Sequence, residues 1–451
     1  MDTHFLPGMD VAAVPPDRAE RPSEDDDDSP RLRRPDRAQL LMRPQVLEEL
    51  VPADHQARTV WAVVERLDLS GFYKAIRARG DDPGRSATDP QLLVALWLYA
   101  HVDGVGSARE LERRCREHAP YQWLCGGVNI NHHTLSDFRT AHEKPLDALF
   151  TNLMAMMQHK GLVRIERISQ DGMRVRASAG ASSFRRGETL QRLVSEARQR
   201  VETLKRQLDG PAAAGLSAVK RAAQERAARE RVERIERALA TLPKLEEAKE
   251  KLGRKIASAK TKEVRASTTD AEARVMKMPD GGFRPGYNVQ LASDPASRAI
   301  VGVDVSNSGV DSGQAEPMRK QVEERTGAAV KEHLYDGGFL RFEDIDAAQQ
   351  AGVTVYAPPK PPRNKDKRSS AYEPRRDDSP AVGEWRTRMG SDAAQEVYKL
   401  RAATSETVNA ELRTYRSLDR LLVRGLNKVR CVALWAALAY NIVHFGKMLM
   451  S

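Results

Sequence analysis

The sequence predicts a mixed α/β core preceded by an all-α segment, and three observations carry that expectation. Residues 38–160 show helical apolar patterns with clear helix starts and no strand pattern. Residues 188–257 repeat apolar side chains at spacings of four and three, as a helix packed on a helix requires. The rest of the chain beyond residue 160 mixes short β-favouring runs with helical stretches, the pattern of a sheet with crossover helices.

The first 37 residues, with proline and five consecutive acids from Glu24 to Asp28, read as a disordered acidic tail. After Asp89-Pro90, a good helix start, Leu92, Leu93, Leu96, Leu98 and Tyr99 form an apolar helical run. Ser107 with Glu110 three residues on reads as a capping box opening a basic helix, and Thr134 with Asp137 reads as a second start. Short helices with basic faces fit a helix-turn-helix-like DNA-binding domain over 38–160, or equally a plain helical bundle. In 188–257, Leu190, Val194, Ala197, Val201, Leu204 and Leu208 form one stripe; Val232, Ile235, Leu239, Leu242 and Leu245 form another after "DGPAAAG". Their lengths predict an antiparallel helical hairpin rather than a dimeric coiled coil. "YNVQLAS" and "AIVGVDVS" around "DPASR" predict a β-hairpin. Residues 358–383 read as a basic proline-rich loop, followed by helices over roughly 391–415 and 428–449.

Lys plus Arg number 73 against 63 Asp plus Glu, a net charge of +10 that suits a polyanionic partner. Three cysteines, Cys115, Cys125 and Cys431, make no disulfide framework, so a reducing compartment is expected. No signal peptide is read, and the apolar run 433–446 is short for a bilayer and reads as a buried helix. Cys115, Cys125, His132 and His133 lack the CxxC spacing of a zinc site.

Two aspartates stand where strands meet glycine. In "HLYDGGF", Asp336 ends an apolar run and Gly337-Gly338 follow; in "QDGMRVRAS", Asp171 precedes Gly172 at a period-two pattern. Each is either a turn residue, since Asp-Gly suits backbone with φ > 0, or a carboxylate held ready for a cation. Glu406 shares a helix face with Arg413, seven residues on, behind Tyr398 and Arg401. Asn288 and Gln290 in the hairpin either meet DNA or face solvent.

The order of these pieces resembles the DDE transposases of bacterial insertion sequences whose third acid lies in a Tyr-x-x-Arg…Glu…Lys/Arg signature. "DGMRVRAS" resembles the first-acid strand, "GYNVQLASD" the hairpin, "YDGGF" the second-acid motif and "YKLRAATSETVNAELRTYR" the third-acid helix. "LAYNIVHF" resembles the closing helix, and "VDGVGSARELERRC…WLCGG…HHTLSDFR" the helical domain ahead of the core. One departure stands out: four residues, "AATS", separate Arg401 from Glu406 where three are usual, so Glu396 and Glu411 are rivals for the third position.

The resemblance implies an RNase H-like catalytic domain over 161–451 with the 188–257 hairpin inserted in it. It implies Asp171, Asp336 and Glu406 as catalytic, metal-holding residues, with two Mg²⁺ ions for which Mn²⁺ can substitute. It further implies DNA as partner, both terminal inverted repeats and target, with Arg109, Arg113, Arg114, Tyr398, Arg401 and Arg413 as contacts. A homodimer or larger assembly on DNA, no membrane, and a cytoplasmic, nucleoid-associated location follow from the same likeness. A related nuclease without strand transfer, or a non-catalytic DNA-binding descendant, are the rival readings.

Overall fold

The computed structural model describes residues 46–76, 86–209, 217–255, 263–360 and 371–451. The acidic tail and the centre of the proline-rich loop lie outside them. Ahead of the sheet run α1 (Gln56–Val64), α2 (Ser70–Tyr73), α3 (Pro90–Val102), α4 (Ala108–Glu117), α5 (Ala119–Cys125), α6 (His132–Ala141) and α7 (Glu143–His159). Pro90 opens α3 and the Asp89 side chain accepts from Gln91 N–H, as the sequence suggests. α3 is apolar on every side and is buried all round. α4 starts on Ser107, whose hydroxyl accepts from Glu110 N–H, and buries only Ala108 and Leu111. The cap of α6 is Asn131, accepting from Thr134 N–H, rather than Thr134 itself.

The strands are β1 (Arg167–Arg176), β2 (Phe184–Arg185), β3 (Ala266–Ser267), β4 (Arg274–Lys277), β5 (Phe283–Ser293), β6 (Ile300–Ser306), β7 (Glu332–Leu334) and β8 (Thr354–Tyr356). Among the described residues the main sheet runs β4-β5-β1-β7-β8, with β6 also on β5. β5 is antiparallel to β1, β4 and β6, whereas β7 lies parallel to both β1 and β8. Taken from β6, the order β6-β5-β1-β7-β8 is an antiparallel meander extended by parallel strands, the RNase H-like arrangement. The parallel strands carry crossover helices, α10 (Ala315–Thr326) before β7 and α11 (Phe342–Gln350) before β8.

Between β1 and β4 the chain leaves the sheet as α8 (Gly187–Asp209) and α9 (Ala218–Lys255). Leu190, Val194 and Ala197 bury against Ile235, Ala238 and Leu242, and Arg198 pairs with Glu236 across the two helices at 2.6 Å. This small core, to which Ala266 of β3 also belongs, is separate from the main one.

The chain ends in α12 (Pro380–Met389), α13 (Asp392–Arg401), α14 (Thr407–Tyr415) and α15 (Leu426–Met450). α12 corrects the expectation of loop up to 383. Ser379 caps it, accepting from Val382 N–H, and Pro380 takes the first turn, where its missing N–H costs nothing. α15 is longer than the apolar run suggested. It is long and apolar enough to cross a bilayer by composition, but its apolar window is 83% buried inside the protein. It packs on α1, α3, α6 and α7 and on β6, so one apolar core runs from the leading helices into the sheet. Asn441 in α15 bonds both backbone groups of Ile300, accepting at 3.0 Å and donating at 2.8 Å, and so satisfies the outer edge of β6.

Candidate active site

β1 and β7 are in register at Ser169 and Leu334. Continuing that register by two residues brings Asp171 beside Asp336 on the same face of the sheet, because side chains alternate along a strand. β7 ends at Leu334, and the Tyr335 N–H to Tyr356 O bond closes its ladder with β8. The β7 side of β1 is taken up again only at Arg176, by residues 419–421. Asp171 therefore sits in mid-strand, paired with Leu291 of β5, and is not a turn residue.

Nor do the glycines after Asp336 serve a left-handed turn, for neither is at positive φ. A Cβ on Gly338 would stand 2.7 Å from Asp336 Oδ1, and one on Gly337 would stand 3.0 Å from Pro358 O. Close approach is what excludes a side chain here, and Gly338 N–H donates to the Asp336 carboxylate.

The helical ending lies over this face. Arg401 Nη2 donates to Asp171 Oδ1 at 3.0 Å, and Asn409 Nδ2 donates to Asp171 Oδ2 at 2.9 Å. Ser405 and Ser169 share a hydrogen bond of 2.8 Å between them. Between α13 and α14 the helix makes a π turn over Ala402–Glu406. A π turn inserts one residue, so the helix beyond it is rotated back by about 100°. On a regular helix Arg401 and Asn409 would point about 80° apart; the insertion reduces this to about 20°, and both reach one carboxylate. Likewise Glu406 moves from about 140° to about 40° from Arg401, the offset that three intervening residues would give. The extra residue in "AATS" is absorbed by the π turn.

Burial pushes the Asp171 carboxyl above its usual range. The neighbouring carboxylates of Asp336 and Asp311 push the same way, and Arg401 and the Gly172 N–H oppose them. Tyr398 is half-buried in the same field, its hydroxyl raised by burial and by Asp336 and Asp171. Asp171, Asp336, Tyr398 and Arg401 are thus brought together. Glu406 is exposed, with no side-chain hydrogen bond or ion pair among the described residues, and Arg413 likewise has none. Among the described residues no three His, Cys, Asp or Glu side chains form a ready cation cage, an open arrangement that mutual repulsion of carboxylates favours. The rivals are otherwise engaged. Glu396 pairs with Lys399, and Glu411 holds Arg416 at 2.6 Å and His444 at 2.8 Å.

On the opposite face of β1 lies Asp311, which the sequence did not single out. Its carboxylate accepts from Asn288 Nδ2 at 2.6 Å and Gln290 Nε2 at 2.8 Å, and it pairs with Arg174 at 3.1 Å. Asn288 and Gln290 are fully buried and face neither solvent nor DNA. A Cβ on Gly172 would stand 2.1 Å from Asp311 Oδ1, so glycine beside Asp171 is what lets this acid dock. Gln170 extends the network, donating to Gln290 and accepting from His333 of β7, each at 3.0 Å. β1, which carries Asp171, and β7, which leads into Asp336, are tied together from behind. The polar alternation of "YNVQ" was the available signal, but alternation alone does not say which face is covered.

In the leading helices Arg109 is exposed and without an ion pair among the described residues. Arg113 is held by Glu110 and Glu117, and Arg114 by Glu110 and Asp103. His132 bonds Glu112 at 2.8 Å.

Residues 45–141 match the family model of a transposase domain (DUF772), and residues 258–442 match that of a transposase DDE domain. The chain belongs to the DDE transposases of insertion-sequence type. Neither a curated protein nor a solved structure matches it. The DDE match begins beyond the α8–α9 hairpin and contains Asp336, Glu406 and Asn409. Asp171 falls between the two matched segments, so its assignment in this transposase rests on the register of β1 with β7.

Proposed function

We propose that this transposase binds the terminal inverted repeats of its element, cleaves DNA at the ends and transfers the strand to a target, using Asp171, Asp336 and Glu406 to hold divalent metal. The observation that carries the reading is the pair Asp171–Asp336, one on β1 and the other just beyond the end of the adjacent β7, with burial and like charge raising the Asp171 carboxyl. Such a pair gains most from a cation, and its hard oxygens fit Mg²⁺. Two Mg²⁺ ions, or Mn²⁺ in their place, would supply an activated water or 3′-hydroxyl and a stabilised leaving oxygen.

The chain's own groups have separate tasks. Arg401 holds Asp171 Oδ1 and limits the carboxylate's rotation. Glu406, exposed and without a partner among the described residues, lies about 60° around the helix from Asn409 and swings in as the third acid. Arg413, about 20° from Glu406 in direction, offers its guanidinium to a DNA phosphate, and Tyr398 stacks on or bonds the same strand. The +10 net charge draws the DNA in. Two copies, or more, bring the two ends together, in the cytoplasm at the nucleoid.

The test uses purified protein, DNA carrying the element's ends, and Mg²⁺. Asp171→Asn and Asp336→Asn should each abolish cleavage and strand transfer while a gel shift of the end DNA persists, since affinity comes mainly from phosphate contacts. Substantial cleavage by either variant overturns the assignment.

A further inference from the structure

We infer that Asn409 is a further residue of the metal site, its side-chain carbonyl supplying a neutral oxygen beside Asp171 and Asp336. The inference rests on the reading of that pair as metal-holding. Asn409 Nδ2 donates to Asp171 Oδ2 at 2.9 Å, which fixes the amide's orientation. The flipped amide would set two oxygens against each other with no proton between them. Asn409 Oδ1 is therefore turned away from that carboxylate oxygen, and it is buried with no hydrogen-bond partner among the described residues. Buried acceptors in native proteins are satisfied, so this one calls for a group that the chain itself does not provide.

A second, independent observation points the same way. The π turn over Ala402–Glu406 is the feature that swings Asn409 onto the stripe of Arg401, so that both meet Asp171. π bulges are rare and concentrate at functional sites. An amide carbonyl is a hard, uncharged oxygen donor of the kind that accompanies carboxylates around alkaline-earth cations. It adds a contact to the cation without adding to the negative charge of Asp171, Asp336 and Glu406, at a site already under like-charge pressure. The competing occupant is a water bridging Asn409 Oδ1 to the equally unpartnered Nε–H of Arg401. In that case Asn409 only orients Asp171, and its oxygen never meets metal.

The experiment is Mn²⁺ binding to the full-length protein, read as loss of the free-ion electron paramagnetic resonance signal, without DNA. Asp171→Asn should abolish binding; if it does not, the underlying metal reading fails, whatever Asn409 does. Asn409→Ala should raise the Kd more than about 100-fold, beyond the roughly 10–100-fold cost of losing a residue that only orients a ligand. A loss of about 100-fold or less in Asn409→Ala, alongside abolition in Asp171→Asn, overturns the inference and leaves Asn409 orienting Asp171 beside the bridging water. Asn409→Asp keeps the shape and the oxygen but cannot donate, and it also decides the matter should the alanine variant fail to fold. Affinity within about tenfold of wild type supports an oxygen facing the cation, and loss as complete as in Asp171→Asn overturns it.

Discussion

Gly172→Ala is the sharpest perturbation that the structure offers. The new Cβ would stand 2.1 Å from Asp311 Oδ1, 2.7 Å from Gln290 Nε2 and 2.8 Å from Asn288 Oδ1. Restoring ordinary contact requires the Asp311 carboxylate to retreat by more than about 1 Å. That retreat stretches its 2.6 and 2.8 Å hydrogen bonds beyond bonding length. Each is a bond to a charged group, worth about 1.5–3 kcal/mol, and overpacking adds about 1–3 kcal/mol. Rehydration of the displaced carboxylate returns part of this, so the net loss should be about 3–5 kcal/mol, a large share of a typical 5–15 kcal/mol. The assay is equilibrium unfolding in urea as a double-mutant cycle with Asp311→Ala. With the carboxylate gone, the amides of Asn288 and Gln290 are free to turn aside. Adding Gly172→Ala should then cost about 1 kcal/mol or less, a coupling of at least about 2 kcal/mol. A cost below about 1 kcal/mol in the wild-type background, or an equal cost in both, would refute the claim that glycine stands beside Asp171 to admit Asp311.

Alanine at each of the three glutamates should separate their roles: Glu406→Ala loses strand transfer, Glu396→Ala changes nothing, and Glu411→Ala lowers stability by about 1–3 kcal/mol by stranding the buried Arg416. An active Glu406→Ala with either of the others dead moves the third acid. In salt titrations of end binding, Arg109→Ala should flatten the slope of log K against log salt by about 0.9, one phosphate contact, whereas Arg113→Ala does less because its charge is already shared with Glu110 and Glu117. Equal effects would mean that the ion pairs open on DNA. His101 and His333 are fully buried, and burial lowers them from 6.5 to about 4 and about 3. The unfolded chain then binds more protons, so stability is present above about pH 6.5 and falls with acidification, each histidine adding up to about 1.4 kcal/mol per pH unit. His333→Gln should remove its share of the slope between pH 7 and 5, and an unchanged slope sinks that account.

Local chemistry was legible in the sequence wherever a short stretch decides its own state. Asp89-Pro90 and Ser107 start their helices because a cap and a fixed φ need only neighbours along the chain. The heptad stripes of α8 and α9 found each other for the same reason: each had one apolar face and a short connection. The order of the carboxylates along the chain sufficed to suggest the family. It did not distinguish a turn aspartate from a strand aspartate at Asp171, since both readings use the same dipeptide. The face each side chain takes was decided only by tertiary structure. The β1–β7 register put Asp171 beside Asp336, and the cover of the opposite face turned Asn288 and Gln290 from surface candidates into buried donors to Asp311. The extra residue between Arg401 and Glu406 looked like a defect in a signature, because a regular helix turns by a fixed angle per residue. Packing on β1 selects a π turn there, and the rotation it removes brings Arg401 and Asn409 onto one carboxylate. Periodicity is a property of the chain, but which turn breaks it is set by what lies beneath.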